Sequence, residues 1–134
     1  MSRIKTAVAA LMFALCGVAH ADDTGQEKIQ PVMRQAIPEA AGKNVLVATV
    51  SYVPGQASEA HMHRGSVFAY VLEGHVVSQL EGSAAKTYGP GESCPEAPGS
   101  HHLVSRNASA VEPAKLLVFA LVGEHDPVKL PIPK

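Results

Sequence analysis

The sequence contains few cysteines and few aromatic residues. Its 134 residues include two cysteines, no tryptophan, three tyrosines and three phenylalanines. This excludes a disulfide-rich scaffold, and if the first 21 residues are removed, Cys94 is the only thiol left, so no intramolecular disulfide can form. Charged residues make up only 17% of the chain, with a net charge of −1. Such a balance favours neither nucleic acid nor an anionic membrane as a partner, and we expect neither.

Helical periodicity is missing beyond residue 21. Short apolar and β-branched runs alternate with turns rich in glycine and proline, which is typical of β-structure. Pro31 cannot donate to a sheet ladder, so the first run is expected at a sheet edge. The predicted strands cover residues 29–37, 45–53, 67–73, 75–80, 86–88, 93–97, 101–105 and 115–122. Many short strands predict an all-β barrel or sandwich.

The one long apolar run lies at the N-terminus. Arg3 and Lys5 precede it, and a small-x-small sequence ends it at Ala21. This pattern predicts a cleavable signal peptide over residues 1–21 and a periplasmic or secreted protein. The run is too short for stable insertion into a membrane. A lipoprotein signal anchored at Cys16 is the weaker alternative, because no small residue directly precedes that cysteine.

The remaining chain is long enough for one domain. We predict an N-terminal arm with an edge strand over residues 22–44 and a β-barrel domain over residues 45–134. Without the basic residues of the signal, 9 basic residues stand against 12 acidic ones, a net charge of −3.

Three histidines are the strongest functional signal. His61 and His63 alternate along a strand and therefore share a face, and His102 lies on a later strand. Three convergent imidazoles suit a divalent ion of iron, manganese, nickel, copper or zinc. On its own, a His pair on an edge strand is more often a solvated surface than a set of metal ligands.

Two segments around these histidines resemble the sequence motifs of the cupin superfamily. Gly55, His61, His63 and Gly74 follow the first motif, G-x5-H-x-H-x3-4-E-x6-G. Gly91, Pro98-Gly99, His102 and Asn107 resemble the second, G-x5-P-x-G-x2-H-x3-N, although Ala97 stands at its proline, with Pro98 one residue later, and Asn107 lies one residue later than its asparagine. The resemblance covers residues 55–107. It implies a small single-domain cupin of the type-2 kind, a double-stranded β-helix or jelly-roll barrel with the histidines in its lumen. It also implies a homodimer.

The chain departs from the first motif at its glutamate. Val67 stands at that position and cannot bind a metal. The resemblance therefore implies a neutral site of His61, His63 and His102. Glu96 is the nearest candidate for a catalytic or replacement carboxylate, as a fourth ligand, as a partner of a ligand or as a general base. A surface glutamate beside a turn is the competing interpretation.

The residues leave three functions open. The first is an exported metalloenzyme of the dioxygenase, isomerase or lyase type that acts on a small molecule at the metal. The second is a non-catalytic barrel that binds a metal or a small ligand. The third is a structural barrel that dimerises. We predict an exported, metal-binding cupin with a small-molecule ligand or substrate, and we leave catalysis open.

Overall fold

A computed structural model describes residues 26–134. The predicted signal peptide, with Cys16 and the cleavage site after Ala21, lies outside the described residues. Within the described part, no helix is long and apolar enough to cross a membrane.

Ten strands form two antiparallel sheets. They are β1 (Lys28–Ala36), β2 (Lys43–Tyr52), β3 (His61–Met62), β4 (Val67–Glu73), β5 (Val76–Leu80), β6 (Lys86–Tyr88), β7 (Ser93–Glu96), β8 (His101–Asn107), β9 (Ala114–Gly123) and β10 (Leu130–Pro131). The first sheet has the order β1-β2-β9-β4-β7, and the second has the order β10-β3-β8-β5-β6. Two packed five-stranded sheets confirm the predicted all-β, jelly-roll architecture.

The eight predicted strands agree with the structure to within two residues at each end. Strand β1 lies at the edge of the first sheet, and its register with β2 shifts between Pro31 and Met33. The strand expected to carry His61 and His63 is β3, which ends at Met62, before His63, and β10 is not predicted. Each is two residues long, too short to show a period.

The core lies between the sheets. Along β4 the inward residues Val67, Ala69 and Val71 are buried, while the alternate side chains face solvent. Cys94 on β7 joins the same core and is a free thiol. Because the core is closely packed, the side chains at inward positions of the sheets have fixed neighbours. This applies to the polar side chains placed there as well.

Candidate metal centre

The fold brings the three predicted histidines together. His61 opens β3 and pairs directly with His102 of β8, and His63 follows two residues after His61. The ring of His61 lies 4.9 Å from that of His63 and 5.1 Å from that of His102, measured between centroids. All three are buried, with exposed fractions between 5% and 8%. Buried polar rings require partners, so their surroundings decide what they can do.

The fourth polar residue of the cluster is Glu96. It ends β7 and pairs in register with Val67 of β4, and it is 5% exposed. Cross-strand neighbours point to the same face of a sheet. The carboxylate of Glu96 therefore lies beside the position at which the cupin motif would place its glutamate. Its Oε1 is 3.2 Å from Nδ1 of His102, and its Oε2 is 3.6 Å from Nε2 of His63.

Backbone carbonyls orient two of the rings. Nδ1 of His61 donates to the carbonyl of Glu59 at 2.8 Å, and Nδ1 of His63 donates to the carbonyl of Val128. A carbonyl only accepts, so Nδ1 is the donor in both rings, and Nε2 is the ring atom left to face a metal. This is how proteins commonly hold a metal-binding imidazole.

His102 is held by a hydroxyl on a neighbouring strand. Its Nε2 lies 2.8 Å from Oγ of Ser78, which leaves Nδ1 as the ring atom nearest to Glu96. Within residues 26–134, Nδ1 of His102 and Oε2 of Glu96 are buried and have no hydrogen-bond partner. Two unsatisfied buried atoms are costly. A bound cation would satisfy both, because each can offer a lone pair.

The spacing of the donor atoms is compatible with one ion. The ligand atoms of His61, His63 and Glu96 lie within 4.8 Å of one another, a group that does not include His102. Two ligands about 2.1 Å from a shared ion stand roughly 3.0–3.4 Å apart at octahedral or tetrahedral angles. The two contacts of Glu96, at 3.2 and 3.6 Å, are close to those separations. The residues therefore fit a divalent metal ion.

The protonation states also suit a metal. Burial lowers the pKa of His61 to about 4, so its ring is neutral at pH 7. Burial alone would raise the pKa of Glu96, but the interactions with His102, His63 and His61 together outweigh it, and the pKa is lowered. Neutral imidazole and ionised carboxylate are the forms that bind metals.

A cavity of about 60 Å³ borders the three histidines. Apolar side chains from β2 and β9 form part of its wall, and three hydroxyls form another part. The hydroxyl of Tyr52 lies 2.7 Å from Oγ of Ser58 and 2.9 Å from Oγ of Ser105. Burial raises the pKa of Tyr52, so its hydroxyl keeps its proton. The sequence motifs do not indicate these hydroxyls. Only the alternation along β2, which puts Tyr52 on the same face as Val50, points to one of them.

A family model described as a cupin domain matches residues 48–120, more than half of the chain. The chain belongs to the cupin family. The resemblance of its motifs is thereby confirmed. A search of curated protein sequences found no match.

Solved structures extend the comparison of this cupin. The TT1209 protein from Thermus thermophilus is 32% identical, with a TM-score of 0.57 over 71% of this chain and 82% of that one. The DMSP lyase DddQ from Ruegeria pomeroyi is 20% identical, with a TM-score of 0.65 over 83% of this chain. An oxalate oxidase in complex with the substrate analogue glycolate is 17% identical, with a TM-score of 0.62 over 84% of this chain. The cupin spans 54% of the lyase and 63% of the oxidase, and these two likenesses show the fold alone.

Proposed function

We propose that this cupin binds one divalent metal ion through His61, His63, His102 and Glu96. The observation that carries the proposal is the pair of buried, unpartnered atoms within residues 26–134, Nδ1 of His102 and Oε2 of Glu96, beside two further imidazoles. Three imidazoles and one carboxylate suit iron, manganese, nickel, copper or zinc.

In this proposal the carboxylate ligand comes from a different strand than in the first cupin motif. The first cupin motif would place it on β4, where this chain has Val67. Glu96 supplies it from β7, directly across the ladder. The site then keeps the ligand types that the resemblance implies for a complete cupin site, and the glutamate missing from the motif does not leave it without a carboxylate.

We further propose that the centre acts on a small molecule. A divalent ion would supply a Lewis acid that polarises an oxygen ligand. Tyr52 would donate a hydrogen bond or a proton to that molecule, because its hydroxyl borders the same cavity and stays protonated. The apolar wall would limit the access of water. The printed names of two structural neighbours, a lyase and an oxidase, support small-molecule chemistry of lyase or oxidative type on this fold.

Export and dimerisation are part of the same proposal. The basic residues and apolar run before Ala21 support export through a cleavable signal. The outer face of the first sheet supports a homodimer, since Phe68 and Phe119 pair across β4 and β9 and are 49% and 40% exposed. An exposed apolar sheet face of this kind commonly marks an interface.

The deciding experiment is elemental analysis of the protein purified from its native compartment. We expect near-stoichiometric metal in the natural protein, loss of the metal in His61→Ala/His63→Ala, and retention in His125→Ala, which removes an exposed histidine. A natural protein without metal would contradict the proposal. Turnover across a panel of small molecules then separates a metalloenzyme from a non-catalytic barrel, because only the enzyme loses turnover in His61→Ala.

A further inference from the structure

One ion pair lies at the edge of the cavity. The ammonium of Lys129, between β9 and β10, contacts Oε1 of Glu27, just before β1. The side chain of Glu27 is 3% exposed and that of Lys129 is 33% exposed. Within the described residues, the second oxygen of Glu27 is buried and has no hydrogen-bond partner. The lysine is therefore accessible to solvent, and its carboxylate partner is incompletely satisfied.

Lys129 also borders a depression at the surface. This depression has a volume of about 250 Å³ and is lined in part by Glu59 and Pro131. Two residues, His61 and Lys129, line both the depression and the buried cavity of about 60 Å³. They form the boundary between the two spaces. A molecule in the depression therefore lies beside both the ammonium group of Lys129 and the imidazole of His61.

No other lysine or arginine of residues 26–134 lines either space. Arg64 follows His63 in the sequence, but its side chain is 64% exposed and lies 3.8 Å from Asp126. The lining also includes the carboxylates of Glu59 and Glu27, so the ammonium of Lys129 is the one side chain there that can pair with an anion.

We propose that Lys129 binds the carboxylate of a small organic acid, which replaces Glu27 as the partner of the ammonium while the rest of the acid extends toward the histidines. This names the substrate class of the proposed metal centre and rests on that proposal. A cavity of about 60 Å³ holds roughly two water molecules. The enclosed part of the acid is accordingly only a few atoms, and a longer acid extends into the depression.

The test uses malonate as the probe and malonamide as its neutral analogue. Their affinities are measured by isothermal titration calorimetry for the purified protein with its measured metal content, and again after metal removal. We expect Lys129→Met to weaken malonate binding by about tenfold, the effect of one lost charge-assisted contact. Lys129→Arg should bind close to the natural protein. Lys86→Met, which removes an exposed lysine at the start of β6, is the matched control for net charge.

A second variant tests the exchange of partners. Glu27→Gln frees the ammonium from its competing carboxylate and should strengthen malonate binding, while malonamide binding stays unchanged. The inference is wrong if the natural protein does not prefer malonate to malonamide, or if Lys129→Met binds malonate as well as the natural protein does. Lys129-dependent malonate binding by a protein without metal would sustain the inference and contradict the metal centre. Bound metal together with malonate binding that does not depend on Lys129 would contradict the inference and sustain the metal centre.

Discussion

Moving the carboxylate between two strands tests the proposed centre directly. Val67 and Glu96 face each other across β4 and β7, and their exposed fractions are 2% and 5%. Such cross-strand neighbours have Cβ atoms about 5 Å apart and share a face. A carboxylate on either strand therefore reaches the same region. We expect Glu96→Val to lose metal binding and Val67→Glu/Glu96→Val to regain a large part of it.

The size of the loss follows from what Glu96 contacts. Its two oxygens lie 3.2 Å from the Nδ1 of His102 and 3.6 Å from the Nε2 of His63, so removal leaves three neutral imidazoles as ligands. Loss of a group that only orients a ligand lowers metal affinity about 10–100-fold. Loss of a direct, charged ligand should exceed the upper end of that range, more than about 2.8 kcal/mol of binding free energy.

Competition with a chromophoric chelator measures the zinc affinity of the natural protein, Glu96→Val, Glu96→Gln and the double variant. Thermal unfolding in the presence of a chelator shows whether each metal-free variant is folded. Unchanged affinity in folded Glu96→Val would refute the carboxylate ligand and leave the three-histidine site that the sequence predicted. If Glu96→Val loses zinc binding and the double variant does not regain it, positions 67 and 96 are not equivalent for a carboxylate ligand.

Four further predictions concern stability, reactivity and assembly. Burial raises the pKa of Cys94 to about 11, so its thiol should react with a disulfide reagent at pH 8 about 100-fold more slowly than a free cysteine; equal rates would contradict the buried position. The pKa of His61 is lowered from 6.5 to about 4 by burial, so the metal-free folded protein binds protons less readily than the unfolded chain. The free energy of unfolding in urea should reach its full value above pH 6.5 and fall as the pH decreases toward 4. His61→Ala should flatten this dependence. At Gly74, with a φ of 67°, an added Cβ would lie 2.4 Å from a backbone oxygen, so Gly74→Ala should lower the free energy of unfolding by more than about 3 kcal/mol. Gly82→Ala, with a φ of 78° and open surroundings, is its control and should cost only about 1 kcal/mol. Phe119→Glu should convert the expected dimer to a monomer in light scattering, and a natural protein that is already monomeric would refute the proposed interface.

Much of the fold could be predicted because the strand boundaries are local features. Residues 67–73 and 86–88 match β4 and β6 in both bounds, since apolar or β-branched residues stop at turn residues there. The short strands β3 and β10 have no such signal. They exist because β8 offers a ladder partner to β3, and β3 offers one to β10. Pairing with a distant strand is a property of the whole sheet.

The site also combines local features, which the sequence shows, with long-range contacts, which it does not. His61, His63 and His102 could be identified because motif spacing is local. Glu27 and Lys129 are 102 residues apart in the chain, and no local pattern links them. Glu96 could be named as the nearest candidate carboxylate, but its place opposite Val67 depends on the register of β4 and β7, which no local pattern shows.

That register has a chemical consequence for the proposed centre. In a barrel, several strands present inward positions at the same depth, so a ligand lost from one strand can be supplied by its ladder neighbour without a change in the ligand types. A divalent ion with three neutral imidazoles and the charge of Glu96 would keep one net positive charge. At the entrance, the ammonium of Lys129 is the lining group that can pair with a carboxylate in place of Glu27. A metal with one net positive charge and this ammonium both bind anionic groups, so the relocated carboxylate and the lysine at the boundary lead to the same class of ligand.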